Sequence, residues 1–239
     1  MKTILPPVHA LIDHALLHPT LTDDEIVAGC QEAETFGVAS VCVPVHAVPL
    51  AVSELTGSQV AVGTVIGFPH GSTATDVKAF ETQWAVERGA TEIDVVVNIG
   101  KVLGGDWHYI ESDLRAVVAA AKTRGAVVKV IVETDYITRD EDKVRVCQIA
   151  AECHADFVKT STGFGFVKQP SGDYNYAGAT AHDIRLFRAA VPTRVGIKAS
   201  GGIRSLEQAV AFQQMGATRL GTSATRAICE QQTADPSSY

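Results

Sequence analysis

The chain has little that would staple it, tether it or charge it for large polyanions. Its five cysteines, Cys30, Cys42, Cys147, Cys153 and Cys229, form no C-x-x-C pair, which supports neither a disulfide framework nor a zinc cluster. Reduced thiols are the expectation. Eight histidines are scattered without H-E-x-x-H or a comparable spacing, so no metal is expected, and nothing calls for an organic cofactor. No apolar run approaches the ~20 residues of a membrane span, and residues 1–10 lack the long apolar stretch of a secretory leader. A cytoplasmic location and no membrane partner are therefore expected. Positive charge is also short: 20 Lys and Arg against 27 Asp and Glu leave a net charge of −7, which argues against a nucleic-acid partner. An anionic ligand would have to be held locally.

What is present is core. With 239 residues, 46% hydrophobic and 20% charged, the chain reads as one large α/β domain. Apolar runs at 10–14, 39–43, 60–67, 92–98, 127–133, 156–162, 194–200 and 218–222 alternate with helical stretches. The runs are continuous rather than alternating, as in parallel strands covered on both faces. Helix starts are signalled at Thr22, between Thr73 and Asp76, between Thr138 and Glu141, and at Ser205, with glycine stops at Gly37, Gly89, Gly125 and Gly216. Eight such units in this length predict a single-domain TIM (β/α)8 barrel over residues 1–232, followed by a flexible tail at 233–239.

Burial normally excludes lysine, yet Lys159 and Lys198 each sit in an apolar run that leads into a glycine-bearing loop. Such a lysine must pair with a carboxylate or shed its proton, and a neutral amine attacks carbonyls. The competing reading is a lysine at a strand end with its head in water. The other polar residues inside the runs are Asp13, Asp94, Asn98, Lys129 and Glu133. Strand alternation places Asp94 and Lys129 inward, so Asp94, Lys129, Lys159 and Lys198 should share one pocket with too few carboxylates for every lysine. At least one lysine should be neutral. Asp94 and Lys129 could equally be a structural ion pair, and Asp13 either caps the next segment or orients a lysine.

The loops after the last three runs carry Thr162-Gly163, Ser200-Gly201-Gly202-Ile203-Arg204 and Gly221-Thr222-Ser223. Around one rim they would offer N–H groups and a hydroxyl to a phosphate. Cys42 and His70 also fall at strand ends and are read as pocket lining or packing. Tyr239 ends the polar tail, either incidentally or folded back over the barrel mouth.

The segments Glu92-Ile-Asp-Val-Val-Val-Asn-Ile-Gly, Lys129-Val-Ile-Val-Glu-Thr, Val158-Lys-Thr-Ser-Thr-Gly-Phe and Ile197-Lys-Ala-Ser-Gly-Gly-Ile-Arg closely resemble motifs of the deoxyribose-phosphate aldolase family. Gly67-Phe-Pro-His-Gly and Ser40-Val-Cys-Val support the resemblance, which runs from about Leu11 to Ser223. It implies a metal-free barrel aldolase that splits 2-deoxy-D-ribose 5-phosphate into acetaldehyde and D-glyceraldehyde 3-phosphate. By motif, Lys159 would form the Schiff base, with Lys198 and Asp94 handling protons. Two positions depart from the pattern. Pro44-Val45 stands where Asn-Pro is frequent, and Ala224 stands where a second Ser is common. Partners would be the sugar phosphate and aldehyde substrates, with a homodimer as the assembly to test. The alternatives are another Schiff-base aldolase, a sugar-phosphate isomerase on the same barrel, or a sugar-phosphate sensor without catalysis.

Overall fold

The eight apolar runs become eight parallel strands of one closed barrel. In the computed structural model, which describes residues 5–231, the strands are β1 (Ile12–Ala15), β2 (Ser40–Val43), β3 (Ala61–Ile66), β4 (Glu92–Val96), β5 (Val127–Ile131), β6 (Phe157–Lys159), β9 (Gly196–Ser200) and β10 (Arg219–Thr222). Two further strands, β7 (Val167–Lys168) and β8 (Tyr174–Asn175), pair antiparallel as a hairpin inserted after β6. The closed order is β1-β10-β9-β6-β5-β4-β3-β2.

Alternation sorts each strand into two faces. Ile93, Val95, Val128, Val130, Val158, Ile197 and Ala199 belong to the apolar layer shared with the helices. Asp94, Lys129, Lys159 and Lys198 occupy the intervening positions. Because side chains along a strand point to opposite faces in turn, the buried charges collect inside the barrel.

The helices follow local signals except where tertiary partners compete. Thr22 and Glu25 form a reciprocal capping box at the start of Asp23–Phe36, and that helix stops at Gly37 in a left-handed conformation, φ 61°. Ser205 likewise caps Leu206–Gln214. The helices Thr75–Glu87 and Asp140–Glu152 start without a side-chain cap. At the first of these, Thr75 gives its hydroxyl to Asp113 on the helix Trp107–Lys122 instead, 2.8 Å away.

Most strands are shorter than the apolar runs that predict them, and one element lies outside those runs. The sixth strand ends at Lys159 rather than at 162: beyond it the Ser200 N–H goes to the Thr160 hydroxyl oxygen rather than to a backbone carbonyl, and that hydroxyl donates to the Ser200 carbonyl. The β7–β8 hairpin has no counterpart among the apolar runs, since its residues are mostly exposed and polar and carry no periodic apolar signal. The tail at 233–239, with Tyr239, lies outside the described residues. No helix among the described residues is long and apolar enough to cross a membrane.

Candidate active site

Strand register builds the centre of the site. Lys159 on β6 is the direct partner of Lys198 on β9, and Asp94 on β4 is the direct partner of Lys129 on β5. Partners on neighbouring parallel strands lie about 4.8 Å apart and point to the same face. Asp94 is the hub: its Oδ2 accepts from Lys159 Nζ and Lys198 Nζ, each at 2.8 Å, and its Oδ1 accepts from Lys129 Nζ at 2.8 Å. Asp13, on β1, accepts from Lys198 and faces Lys129 at 3.3 Å. It therefore orients lysines and, among the described residues, caps no segment. Arg219, which opens β10, grips Asp13 and both oxygens of Glu92, while Glu92 also pairs with Lys129 at 2.6 Å.

Four cations thus face three carboxylates, and their charges do not settle alike. Burial lowers Lys159, the Lys198 ammonium lowers it further, and Asp94 only partly opposes them, so its pKa falls below the ordinary lysine value. Burial would also lower Lys198, but Asp13 and Asp94 outweigh it and hold its pKa above the ordinary value. Lys129 is held well above that value because Asp13, Asp94 and Glu92 overcome its burial. Burial would raise Asp94, but the three lysines hold its carboxyl well below the usual range. Lys159 is the amine that this network releases toward its neutral, nucleophilic form.

Above the network a solvent-open cleft is lined by Lys159, Lys198, Asp13 and Cys42 at its base and by the loops after β6, β9 and β10 at its rim. Asp94 and Lys129 lie beneath the lysines rather than on the cleft wall. Gly163, Gly201 and Gly202 all have left-handed backbone, φ 83°, 94° and 74°. Gly163, Gly201, Gly202 and Ser223 line the cleft, and among the described residues their N–H groups have no acceptor, which leaves them available to an anion there. Thr162 differs. Its N–H and hydroxyl both go to Glu133, and its oxygen accepts from the Phe164 N–H at 2.9 Å. Thr162 lines the cleft with its donors already engaged.

Cys42 is a buried wall residue whose thiol is pushed up to about 11 by burial, with Asp94 adding. His70 is exposed and is neither lining nor packing. Pro44 caps a short 3-10 turn, Val45–Ala47, at the end of β2. At the other departure the Ala224 N–H donates to the Thr222 oxygen at 2.9 Å, and the Thr222 hydroxyl donates to the Ile203 carbonyl, tying the β9 and β10 loops together. Arg219 and Glu92 escaped the sequence reading although both stand in strand runs. The alternation that turns Asp94 inward turns Glu92 inward too. Tyr176, just beyond the hairpin, also lines the cleft without a sequence signal.

A parallel barrel with a charged cleft at the carboxyl ends of its strands is a (β/α)8-barrel enzyme, and a buried amine beside a second lysine suits the making and breaking of carbon–carbon bonds next to carbonyls. Comparison with known proteins narrows the class. The family model described as DeoC/LacD family aldolase matches residues 8–231. The chain is 48% identical over 222 residues to a deoxyribose-phosphate aldolase of Carboxydothermus hydrogenoformans, covering 92% of each. A solved structure from Coccidioides immitis superposes with a TM-score of 0.86 at 36% identity, over 95% of this chain and 87% of that one. The deoxyribose phosphate aldolase of Aeropyrum pernix, described as tetrameric, gives 0.82 at 30% identity, over 93% and 89%. The chain belongs to the DeoC/LacD family of aldolases and is a lyase.

Proposed function

We propose that the protein reversibly cleaves 2-deoxy-D-ribose 5-phosphate to acetaldehyde and D-glyceraldehyde 3-phosphate through a Schiff base on Lys159. The observation that carries this reading is the Lys159–Lys198 register pair over Asp94, in which one amine is driven toward neutrality and the other kept charged. Neutral Lys159 adds to C1 of the open-chain aldehyde, and loss of water leaves an iminium. The C2–C3 bonding electrons move into that iminium as the C3 hydroxyl gives up its proton, which frees D-glyceraldehyde 3-phosphate. The remaining enamine takes a proton at C2, and hydrolysis releases acetaldehyde and the amine.

Asp94, directly or through a water, takes the C3 proton. A carboxylate facing three cations is a weak base, but collapse of the iminium to a neutral enamine removes one of those charges at the step where basicity is needed. Lys198 handles protons at the cleft base, and Lys129 and Asp13 hold the network. Gly163, Gly201, Gly202 and Ser223 take the phosphate through free donors, with Thr162 beside them. Borohydride reduction with acetaldehyde is expected to label Lys159, and Lys159→Ala should lose both label and turnover. A label mapped to Lys198 or Lys129 would overturn the assignment.

The proposal extends to a homodimer and to action in the cytoplasm. Val77 and Phe80, 53% and 67% exposed and one helical turn apart, offer an apolar contact on Thr75–Glu87, and Phe80→Glu should lower the mass seen by light scattering. The five free cysteines suit a reducing compartment.

A further inference from the structure

Glu133 is built at evident cost and has no part in the chemistry above. It follows β5 with a left-handed backbone, φ 60°, that residues with a side chain seldom adopt, and it is completely buried. One carboxylate oxygen accepts from the Thr162 N–H, at 3.3 Å, and from the Thr162 hydroxyl. The other, Oε1, is buried with no hydrogen-bond partner among the described residues. Gly165 closes over it so tightly that a Cβ there would lie 3.0 Å from Oε1 and 2.9 Å from Asp135 Cβ. A residue needed only for packing would be apolar here.

We propose that Glu133 is a positioning residue for the phosphate subsite, its carboxylate clamping Thr162 at two points so that the adjoining Gly163 N–H is held aimed into the cleft. The clamp passes on through the Thr162 oxygen, which accepts from the Phe164 N–H, so one carboxylate orders three consecutive loop residues. The groups that act on its charge are Asp135 and Tyr136 from the segment after β5 and Thr162 and Lys159 from β6 and its loop. Burial pushes the carboxyl up to about 7, Asp135 adds to this, and Thr162 and Lys159 oppose it. The carboxylate is a stronger acceptor than the acid, so the clamp tightens as pH rises through neutrality.

This inference rests on the aldolase reading. Its test is the ratio of kcat/KM for 2-deoxy-D-ribose 5-phosphate to that for 2-deoxy-D-ribose, followed across neutral pH. Both substrates share the titration of Lys159, so the ratio isolates the phosphate end. In the wild type the ratio should climb with a midpoint near 7. In Glu133→Gln it should keep only the change due to the substrate's own phosphate and lie about tenfold lower above neutrality. Thr162→Val, a milder change, should keep the climb but move it to higher pH, because the carboxylate loses a donor. Superimposable curves for the three proteins would overturn the clamp. So would a wild-type ratio that falls relative to Glu133→Gln as pH rises, since the carboxylate would then be acting as a repulsive charge. A wild type that neither traps acetaldehyde nor cleaves either substrate would instead remove the aldolase reading, and the clamp with it.

Discussion

At the scale of single residues, Lys159 and Lys198 are chemically identical side chains whose pKa values move in opposite directions. Both are buried, so burial cannot separate them. Lys198 meets Asp13 and Asp94, whereas Lys159 meets Asp94 alone and has Lys198 beside it. Replacing Lys198 by Leu should therefore raise the Lys159 pKa, so that adduct formation with acetaldehyde needs a higher pH and the neutral fraction at pH 7 falls by about tenfold or more. Asp13 would keep Lys129 and Arg219, and Asp94 would keep Lys129 and Lys159, so the barrel should survive. A pH profile of borohydride trapping checks the displacement, and an unmoved profile would take Lys198 out of that role. The sequence alone shows that two lysines are buried among apolar neighbours. Which of them sheds its proton depends on Asp13, 185 positions away from Lys198.

At the scale of elements, the segment after β8 is stitched to the rim. The Ala177 and Gly178 N–H groups donate to Asp135, at 2.6 Å and 3.1 Å, and the Ala179 N–H donates to the Gly201 carbonyl at 3.0 Å. Gly178 has φ 67°, and a Cβ there would come within 2.4 Å of the Gly201 oxygen. Gly178→Ala must displace either its own segment or the β9 loop. Steady-state kinetics should show KM for the phosphorylated substrate rising roughly tenfold or more while the unphosphorylated sugar changes little. Equal losses on both substrates would mean that the damage had spread into the barrel. The rim glycines were legible from their place after strand runs. The hairpin and its Asp135 anchor were not, because short exposed strands carry no periodicity and the anchor is 43 residues distant from Gly178.

At the scale of the whole molecule, the helical layer is held together by buried ion pairs between neighbouring helices as well as by apolar packing. Lys78, fully buried on Thr75–Glu87, donates to Asp113 on Trp107–Lys122 at 2.6 Å and to the Val96 carbonyl at the end of β4 at 2.9 Å. Lys143 and Asp183 make the equivalent link between Asp140–Glu152 and Ala181–Ala190, also at 2.6 Å. Lys78→Met should cost about 3–5 kcal/mol, because Asp113 would remain buried with only the Thr75 hydroxyl to satisfy it. Adding Asp113→Leu should recover much of that loss, since a buried pair contributes little over apolar residues of similar volume. Urea unfolding of the single and double variants measures both, and a double variant no more stable than the single would show that the pair itself carries the stability.

By itself the sequence determined the barrel and the neighbourhood of its chemistry. A strand covered on both faces must be a continuous apolar run, so eight such runs with helical intervals could be counted, and a charge well inside one, on the alternation opposite to the helix-facing apolar side chains, had to face the one interior that a closed sheet provides. Asp94, Lys129, Lys159 and Lys198 were found in this way. Tertiary structure alone decided how the charges pair, because pairing follows the register between strands and the closure of β1 onto β10, neither of which leaves a local mark. It brought Arg219 and Glu92 into the network, set Lys159 against Lys198, and gave both donors of Thr162 to Glu133. Residue type and spacing determine which face a side chain occupies, whereas its protonation and its partners depend on groups brought close only when the barrel closes.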